Sequence, residues 1–232
     1  MEDSKEPGIE SRLPSDCRRL VIVGAGGFGR EVLQWARDAW PDYASRIAGF
    51  LSDDPQRLDG FSTGLAILGP IASYVNIPGD YLLLGIGVAY SRRMVAERLT
   101  ARGAAFVTLV HPTAVVAESA RIGCGSIVCP GAIVSDSATL GECVLMNYHA
   151  SLGHDASAGD FAVLSPYATL GGGAKVGDDV FLGLHASVGP GRSVGARSKV
   201  SANSCVLSDT PADSIVYGVP GRIVPRVELG QR

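Results

Sequence analysis

The sequence lacks the features that would suit it to nucleic acid or to a membrane. Its 20 basic and 23 acidic residues leave a net charge of -3, so there is no general basic surface for nucleic acid. No apolar run approaches the roughly 20 residues that span a bilayer. Residues 1–17 alternate charges with Pro, Gly and Ser and contain no apolar signal-peptide segment, so we expect a disordered tail. The expected location is the cytoplasm, with no membrane partner.

Cysteine is also scarce. The chain has five cysteines, none of them in a CxxC pair, and their number is odd. This pattern favours buried thiols in a reducing compartment over disulfides or zinc ligands. The five are Cys17, Cys124, Cys129, Cys143 and Cys205.

What the sequence does contain is a repeat. An aliphatic residue recurs at every sixth position from Val116 to Val206 without interruption, and it is usually followed by a small residue. This period fits neither the roughly 3.6-residue period of an amphipathic helix nor the alternation of a half-buried strand. It is typical of a parallel β-helix, which buries a column of aliphatic side chains at each corner. We therefore predict a β-helix over residues 111–208 and a C-terminal tail over residues 209–232.

The period also predicts neighbours in space. If three hexads form one coil, residues 18 positions apart lie above one another, about 4.8 Å apart, and the prism has about five coils. His154 is then placed between Asp136 and Gly172. A second column contains His149, Tyr167 and His185.

The residues before the repeat indicate a small α/β domain over residues 18–110. Strands are predicted at Arg19–Val23, Ile47–Leu51, Tyr81–Gly87 and Phe106–Val110, with a turn-rich stretch around Ile67–Gly69. Helices are predicted at Arg30–Ala39 and Ser91–Arg102, the second with Met94, Val95 and Leu99 facing inward. Alternating strands and helices of this length favour a Rossmann-like parallel sheet.

A glycine-rich turn follows the first strand and opens the first helix. Gly24, Gly26 and Gly29 fit a dinucleotide fingerprint, in which the backbone approaches phosphate closely at a helix N-terminus. Asp53 ends the second strand, where a ribose-binding acid is expected. Nucleotide or nucleotide-sugar binding is favoured, with a purely structural turn and an NAD(P) site as alternatives. The candidate acceptor-binding residues are Gly24, Gly26, Gly27, Phe28, Asp53, Gly85 and His149.

His154 and Asp155 carry the strongest chemical signal. Only four histidines occur in the chain, and His154 avoids the inward aliphatic position of its hexad. An adjacent carboxylate orients an imidazole and raises its basicity, as a general base requires. The alternative is an exposed polar pair without a role. For the column of His149, Tyr167 and His185, the alternative is stronger: such residues can simply line a groove or a subunit interface.

Several motifs in the same order resemble the bacterial sugar O/N-acyltransferases of the NeuD/PglD type. They are the Gly-rich strand–turn–helix, the segment Gly49–Asp53, the run from Asn147 through His154-Asp155 to Asp160, and the closing Gly218–Pro220. The resemblance covers residues 19 to about 225. It implies a homotrimer of left-handed β-helices with acetyl-CoA between neighbouring subunits and a nucleotide-linked sugar on the N-terminal domain.

The resemblance also implies roles for individual residues. His154 matches the general base of the family, Asp155 its carboxylate partner and Asn147 an asparagine of the active site. The Gly172 amide matches a backbone amide that contacts the thioester carbonyl. Leu184 and Ala202 lie where the coils of family members contact the pantetheine and adenine of the cofactor. The chain departs from the family at Val163, where many members have a second histidine. It departs again at Ser52-Asp53, where members have paired acids.

The predicted activity is direct acetyl transfer from acetyl-CoA to an amino group of a nucleotide-linked amino sugar, with O-acetylation of a sugar or sialic acid as the alternative. A zinc hydratase of the γ-carbonic-anhydrase type would need His111, His149 and His154 to converge. His111 and His149 are 38 residues apart, whereas residues stacked two coils apart are separated by 36, and this mismatch argues against a zinc hydratase. A non-catalytic nucleotide-sugar sensor is the remaining alternative, although the intact His154-Asp155 pair argues against it. No metal is expected.

Overall fold

The computed structural model describes residues 13–226. Its N-terminal unit is a five-stranded sheet whose strands run in parallel in the order β3-β2-β1-β4-β5. Short 3₁₀ helices lie at Pro41–Arg46 and Ile71–Ser73. The helices and strands are β1 (Arg19–Val23), α1 (Gly27–Ala39), β2 (Ile47–Leu51), β3 (Ile67–Gly69), β4 (Asp80–Leu84), α2 (Ala89–Thr100) and β5 (Ala105–Phe106).

The apolar pattern of the sequence accounts for these elements. The strand β1 is buried from Leu20 to Val23 because helices and the β-helix cover the sheet, which is typical of parallel sheets. One face of α1, including Val32, Leu33 and Ala36, is buried against it. The helix ends at Ala39, with Trp40 as its C-cap immediately before Pro41.

Three local predictions differ from the structure. Residues Ile67–Gly69, predicted as part of a turn-rich stretch, form the edge strand β3. Met94 on α2 is 42% exposed instead of facing inward, whereas Leu99 is fully buried. The predicted strand Phe106–Val110 is two strands, because the chain leaves the sheet after β5 and starts the β-helix at β6, Leu109–Val110.

The rest of the chain is a left-handed β-helix, so the predicted fold class is confirmed. Each hexad contributes one two-residue strand, and three strands make one coil. The strands are β7 (Val115–Val116), β8 (Arg121–Ile122), β9 (Ile127–Val128), β10 (Ile133–Val134), β11 (Thr139–Leu140), β12 (Leu145–Met146), β13 (Ser151–Leu152), β14 (Ser157–Ala158), β15 (Val163–Leu164), β16 (Thr169–Leu170), β17 (Lys175–Val176), β18 (Phe181–Leu182), β19 (Ser187–Val188), β20 (Ser193–Val194), β21 (Lys199–Val200) and β22 (Cys205–Val206).

The strands form the three faces of a prism. Face 1 contains β6, β9, β12, β15, β18 and β21, face 2 contains β7, β10, β13, β16, β19 and β22, and face 3 contains β8, β11, β14, β17 and β20. Edge 1/2 joins faces 1 and 2, and edge 2/3 joins faces 2 and 3. Partners such as Leu152 and Leu170 are 18 residues apart, as the period predicted. The second residue of most strands is buried in the central core.

The edges have a constant backbone conformation. One residue in each turn is left-handed, and from Ser137 to Asn203 the non-glycine residues at this position have φ between 52° and 61°. His149 and Asp155 both occupy it, with φ of 57° and 59°. A residue in this conformation projects its side chain from the edge, so functional groups can be presented at regular intervals.

Face 1 of the prism packs against the N-terminal unit. The outward residues Ile127, Leu145 and Val163 are at most 2% exposed and join a core cluster with residues of β1 and α1. Arg93 on α2 forms an ion pair with Asp179 of the prism, with 2.8 Å between Nε and Oδ1. The N-terminal unit is therefore fixed on face 1, away from edge 2/3.

Both predicted tails include ordered segments. Residues 1–12 and 227–232 lie outside the described residues. Residues 13–17 belong to the structured part, since Cys17 is 1% exposed and Asp16 accepts a hydrogen bond from Tyr81 at 2.8 Å. Beyond the last hexad, β23 (Ser214–Tyr217) pairs with β21, and β24 (Arg222–Pro225) pairs with β23. Across residues 13–226, no helix has both the length and the apolar character to cross a bilayer.

Candidate active site

His154 and Asp155 project from edge 2/3. The distance from Nδ1 of His154 to Oδ2 of Asp155 is 2.8 Å, and the two side chains are 71% and 65% exposed. The left-handed conformation of Asp155, whose N–H donates to the Asp136 carbonyl at 3.0 Å, directs its carboxylate back to the imidazole. Holding Nδ1 in this way leaves Nε2 available to accept a proton.

Gly172 lies one coil above the imidazole, as the 18-residue stacking predicted. A Cβ atom at Gly172 would collide with Nε2 of His154, so glycine is required for the ring to lie there. The carbonyl of His154 accepts a hydrogen bond from the Gly173 N–H at 2.8 Å, which ties the two coils together. Within residues 13–226, the Gly172 N–H has no protein acceptor. A base and an unused amide donor therefore lie side by side.

The other residues expected at the β-helix site lie on edge 1/2. Asn147 is half-buried there and accepts a hydrogen bond from the Tyr148 N–H at 2.8 Å. Leu184 and Ala202 are exposed on the same edge, two and three coils further along. One chain therefore does not bring Asn147, Leu184 or Ala202 to His154, because the width of face 2 separates the two edges.

His149 also lies on edge 1/2, where its ring is stacked on Tyr167 with 4.9 Å between ring centroids. Tyr167 is stacked in turn on His185, with 4.7 Å between centroids. The column predicted from the 18-residue spacing is therefore present. It does not lie at the Gly-rich turn, so His149 is separated from the other candidate acceptor-binding residues within one chain.

Face 2, between these two edges, differs from face 3 in charge. The outward residues of face 2 are all uncharged: Val115, Ile133, Ser151, Thr169, Ser187 and Cys205. The outward residues of face 3 include two cations: Arg121, Thr139, Ser157, Lys175 and Ser193. Depletion of charge is typical of the core of a protein interface.

The Gly-rich turn brings three backbone segments into close contact. Gly24 has φ of 102°, and a Cβ atom there would lie 2.8 Å from the Gly85 carbonyl oxygen. A Cβ atom at Gly29 would collide with the Gly24 carbonyl. Helix α1 begins here without a side-chain cap and without acidic residues in its first turn. Its first amides therefore remain available to an anion.

A cavity of about 300 Å³ lies over this turn. Four predicted residues of the turn, Gly24, Gly26, Gly27 and Phe28, line it together with the predicted Gly85. Asp53 does not line it; its carboxylate accepts a hydrogen bond from the Ala72 N–H at 3.3 Å. Ser52, which replaces one of the paired acids of the family, does line the cavity, and sequence reasoning missed Arg57, Ile86 and Gly87, which line it too. Arg57 has no recognisable sequence signal, because it comes from the irregular loop after β2.

A second cavity, of about 500 Å³, meets the first at Gly87. It lies between the start of α2 and face 1, and Tyr90, Arg93, Phe181 and Lys199 are among its lining residues.

The histidines do not form a metal site. His149 and His154 project from different edges of the prism. His111, the third ligand that a zinc hydratase would need, is buried, with Nδ1 2.8 Å from Oγ1 of Thr113 and Nε2 3.3 Å from Oδ2 of Asp38. Among residues 13–226, no group of three or more His, Cys, Asp or Glu side chains converges in a way that could hold a metal ion.

Comparison with known proteins supports the resemblance. The family described as the PglD N-terminal domain matches residues 19–99. A UDP-N-acetylbacillosamine N-acetyltransferase from Bacillus subtilis is 33% identical over 115 residues, which are 48% of this chain and 51% of that protein. The match therefore spans about half the length of this curated relative.

Solved structures resemble nearly the whole chain. PerB from Caulobacter crescentus, solved with CoA and GDP-perosamine, is 28% identical; the match covers 89% of this chain and 97% of that one, with a TM-score of 0.77. The acetyltransferase domain of PglB from Neisseria gonorrhoeae, solved with acetyl coenzyme A, is 28% identical; the match covers 90% and 100%, with a TM-score of 0.80. The chain is therefore similar to sugar acetyltransferases, in its N-terminal domain to the PglD family and over nearly its whole length to the fold of these solved structures.

Proposed function

We propose that the protein transfers the acetyl group of acetyl-CoA to an amino group of a nucleotide-linked amino sugar. The observation that carries the proposal is the His154–Asp155 pair beneath the Gly172 amide. It combines an oriented base with a donor that has no other acceptor among the described residues. The similar proteins solved with CoA or acetyl coenzyme A, one of them also with GDP-perosamine, support the two substrate classes.

In the proposed reaction, the amino nitrogen of the sugar attacks the thioester carbonyl carbon while Nε2 of His154 removes a proton from this amino group. The Gly172 N–H donates to the oxyanion of the tetrahedral intermediate. The C–S bond then breaks, and the CoA sulfur leaves with the proton held by His154. Asp155 stabilises the imidazolium that exists between these two transfers.

Direct transfer is favoured over an acetyl-cysteine intermediate by the state of the buried thiols. Burial raises the pKa of Cys143 to about 11 and that of Cys129 well above its ordinary value. Both thiols are therefore protonated at neutral pH and are poor nucleophiles. Neither residue lies on edge 2/3 with His154.

The acceptor would bind at the Gly-rich cavity, with phosphate at the start of α1 and opposite Arg57. This cavity belongs to the N-terminal unit, which packs against face 1, whereas His154 of the same chain lies on the opposite edge 2/3. The acceptor held by one chain therefore has to meet His154 of another.

We accordingly propose a homotrimer in which edge 2/3 of one subunit faces edge 1/2 of the next. Such a contact joins different surfaces of the two subunits and closes into a ring. It would bring Asn147, Leu184 and Ala202 of one subunit to His154 and Gly172 of its neighbour. The uncharged face 2 lies between these edges and is the proposed contact surface.

Turnover with a panel of UDP-, GDP- and dTDP-linked amino sugars tests the function. CoA release from acetyl-CoA would be followed, and the product mass would show the added acetyl group. Comparing each amino sugar with its hydroxyl counterpart separates N- from O-acetylation. The proposal predicts acetyl transfer to at least one amino sugar, and acetylation of hydroxyl sugars alone would contradict it.

A further inference from the structure

Arg92 is a completely buried arginine between the two parts of the chain. It lies in the first turns of α2, is 0% exposed, and donates hydrogen bonds to three backbone carbonyls. Its Nη1 atom is 2.9 Å from the Leu84 oxygen and 2.6 Å from the Ile86 oxygen. Its Nη2 atom is 3.0 Å from the oxygen of Cys143, a residue of the β-helix. One side chain thus joins the end of β4 to the prism.

The charge of this guanidinium is not neutralised by a carboxylate. Within the described part of the chain, none of the ion pairs involves Arg92, and its Nε atom has no hydrogen-bond acceptor. Burial lowers its pKa to about 10, so it remains charged at neutral pH. A buried cation without an anionic partner is costly, and its field is weakly screened. An incoming anion would supply the missing partner charge.

The two carbonyls on Nη1, of Leu84 and Ile86, lie on either side of Gly85 in the chain, next to the candidate acceptor cavity. Gly85, Ile86 and Gly87 all line that cavity, opposite Gly24. The contact is tight, because a Cβ atom at Gly85 would lie 3.0 Å from the Cα of Gly29. The backbone that forms one wall of the cavity is therefore held by Arg92, which does not itself line the cavity.

We propose that Arg92 is a positioning residue of the acceptor site, which holds Gly85–Gly87 against the Gly-rich turn and supplies a buried positive charge that favours a diphosphate there. The inference rests on the proposed function, since it concerns how the same acceptor binds. It adds a contribution from a residue that the ligand does not touch. It also makes the geometry of the cavity depend on the β-helix through Cys143.

Binding of a nucleoside diphosphate and of its nucleoside to the full chain separates this role from a purely structural one. Calorimetry with GDP and guanosine, and with UDP and uridine, first identifies the pair that the wild-type protein binds. The variant Arg92→Met should then weaken the diphosphate by about tenfold or more while weakening the nucleoside much less. Its KM for the sugar nucleotide should rise while its KM for acetyl-CoA stays unchanged.

Arg19→Met is the matched control. Arg19 forms a two-point ion pair with the buried Asp80, at 2.8 Å for both bonds. These are the first residues of β1 and β4, at the end of each strand that is far from the Gly-rich turn. Its loss should lower the melting temperature without changing the ratio of diphosphate to nucleoside affinity. A fall in diphosphate affinity as large as that of Arg92→Met would overturn the inference, because general destabilisation would then explain both.

Arg92→Lys keeps the inference testable if the methionine variant does not fold. Lysine retains the charge but cannot reach the carbonyls of both Ile86 and Cys143 with one planar group. We expect a KM for the sugar nucleotide raised several-fold, with acetyl-CoA unaffected. If Arg92→Lys has the wild-type KM for both substrates, the role of Arg92 is overturned but the proposed acceptor site is not. If the wild-type protein binds no nucleoside diphosphate, the proposed acceptor site itself is overturned.

Discussion

The Cα of Gly172 lies directly over the imidazole of His154, where any Cβ atom would collide with Nε2. This relationship joins two residues that are 18 positions apart in the sequence and one coil apart in space. The imidazole thus occupies the space that a side chain at position 172 would take. The lack of a side chain at position 172 is therefore part of the proposed active site.

The variant Gly172→Ala tests this relationship. The added methyl group should displace the His154 ring while retaining the backbone N–H, so kcat should fall by about tenfold to a hundredfold. In a His154→Ala background the same change should cost little, because no ring remains to be displaced. A double-mutant cycle measures this coupling. Equal losses in both backgrounds would show that Gly172 acts independently of His154.

His154→Ala should lower kcat by about 10²- to 10⁴-fold, the usual contribution of a positioned general base. Acetyl-CoA affinity should be nearly unchanged, because the side chain acts on the acceptor proton. Asp155→Asn should give a smaller loss, since the amide still contacts Nδ1 but does not stabilise the imidazolium. Steady-state kinetics with calorimetry of acetyl-CoA measures both effects. Near wild-type turnover of His154→Ala would refute the mechanism.

Arg57→Ala should weaken the sugar nucleotide by about tenfold to a hundredfold, as expected for the loss of a charged hydrogen bond. The side chain lines the Gly-rich cavity and lies across from Gly26. Asp53→Ala serves as the comparison, because the Asp53 carboxylate faces the Ala72 N–H instead. If Asp53→Ala raises the acceptor KM more than Arg57→Ala does, then Asp53 and not Arg57 makes the main polar contact with the sugar nucleotide.

A charge on face 2 should prevent assembly. Thr169→Arg introduces a cation at the centre of the uncharged face, so we expect a species near the 24.0 kDa of one chain and loss of activity. Ser157→Arg is the matched control, because face 3 already presents Arg121 and Lys175. Light scattering should give three times the chain mass for wild type and control. A monomeric wild-type protein would contradict the proposed shared site.

Mixing two inactive variants should restore activity. His154→Ala and Asn147→Ala change different edges, so a mixed trimer contains at least one interface in which both residues are native. Co-refolded or co-expressed variants should therefore regain part of the wild-type turnover, whereas each variant alone should not. No recovery in verified mixed trimers would indicate that one subunit supplies both residues.

The sequence alone determined the β-helix and its internal neighbours. A period of six can be read directly because every coil buries the same positions, so Leu152, Leu164 and their equivalents identify the core. The same regularity places Gly172 over His154 and Tyr167 over His149. Local patterns were also sufficient for the Gly-rich turn, since its glycines follow a buried strand and open a helix.

Only the tertiary structure decided which of these groups meet. The hexads are alike on all three faces, so they do not reveal that face 1 is the one that packs against the N-terminal unit. Arg57 reaches the cavity from an irregular loop, and Asp53 is drawn away by the Ala72 amide; neither position follows from a periodic pattern. Arg92 reads as one more polar residue of an amphipathic helix. Its burial arises only because β4 and the β-helix close around it, a long-range packing effect that local sequence does not record.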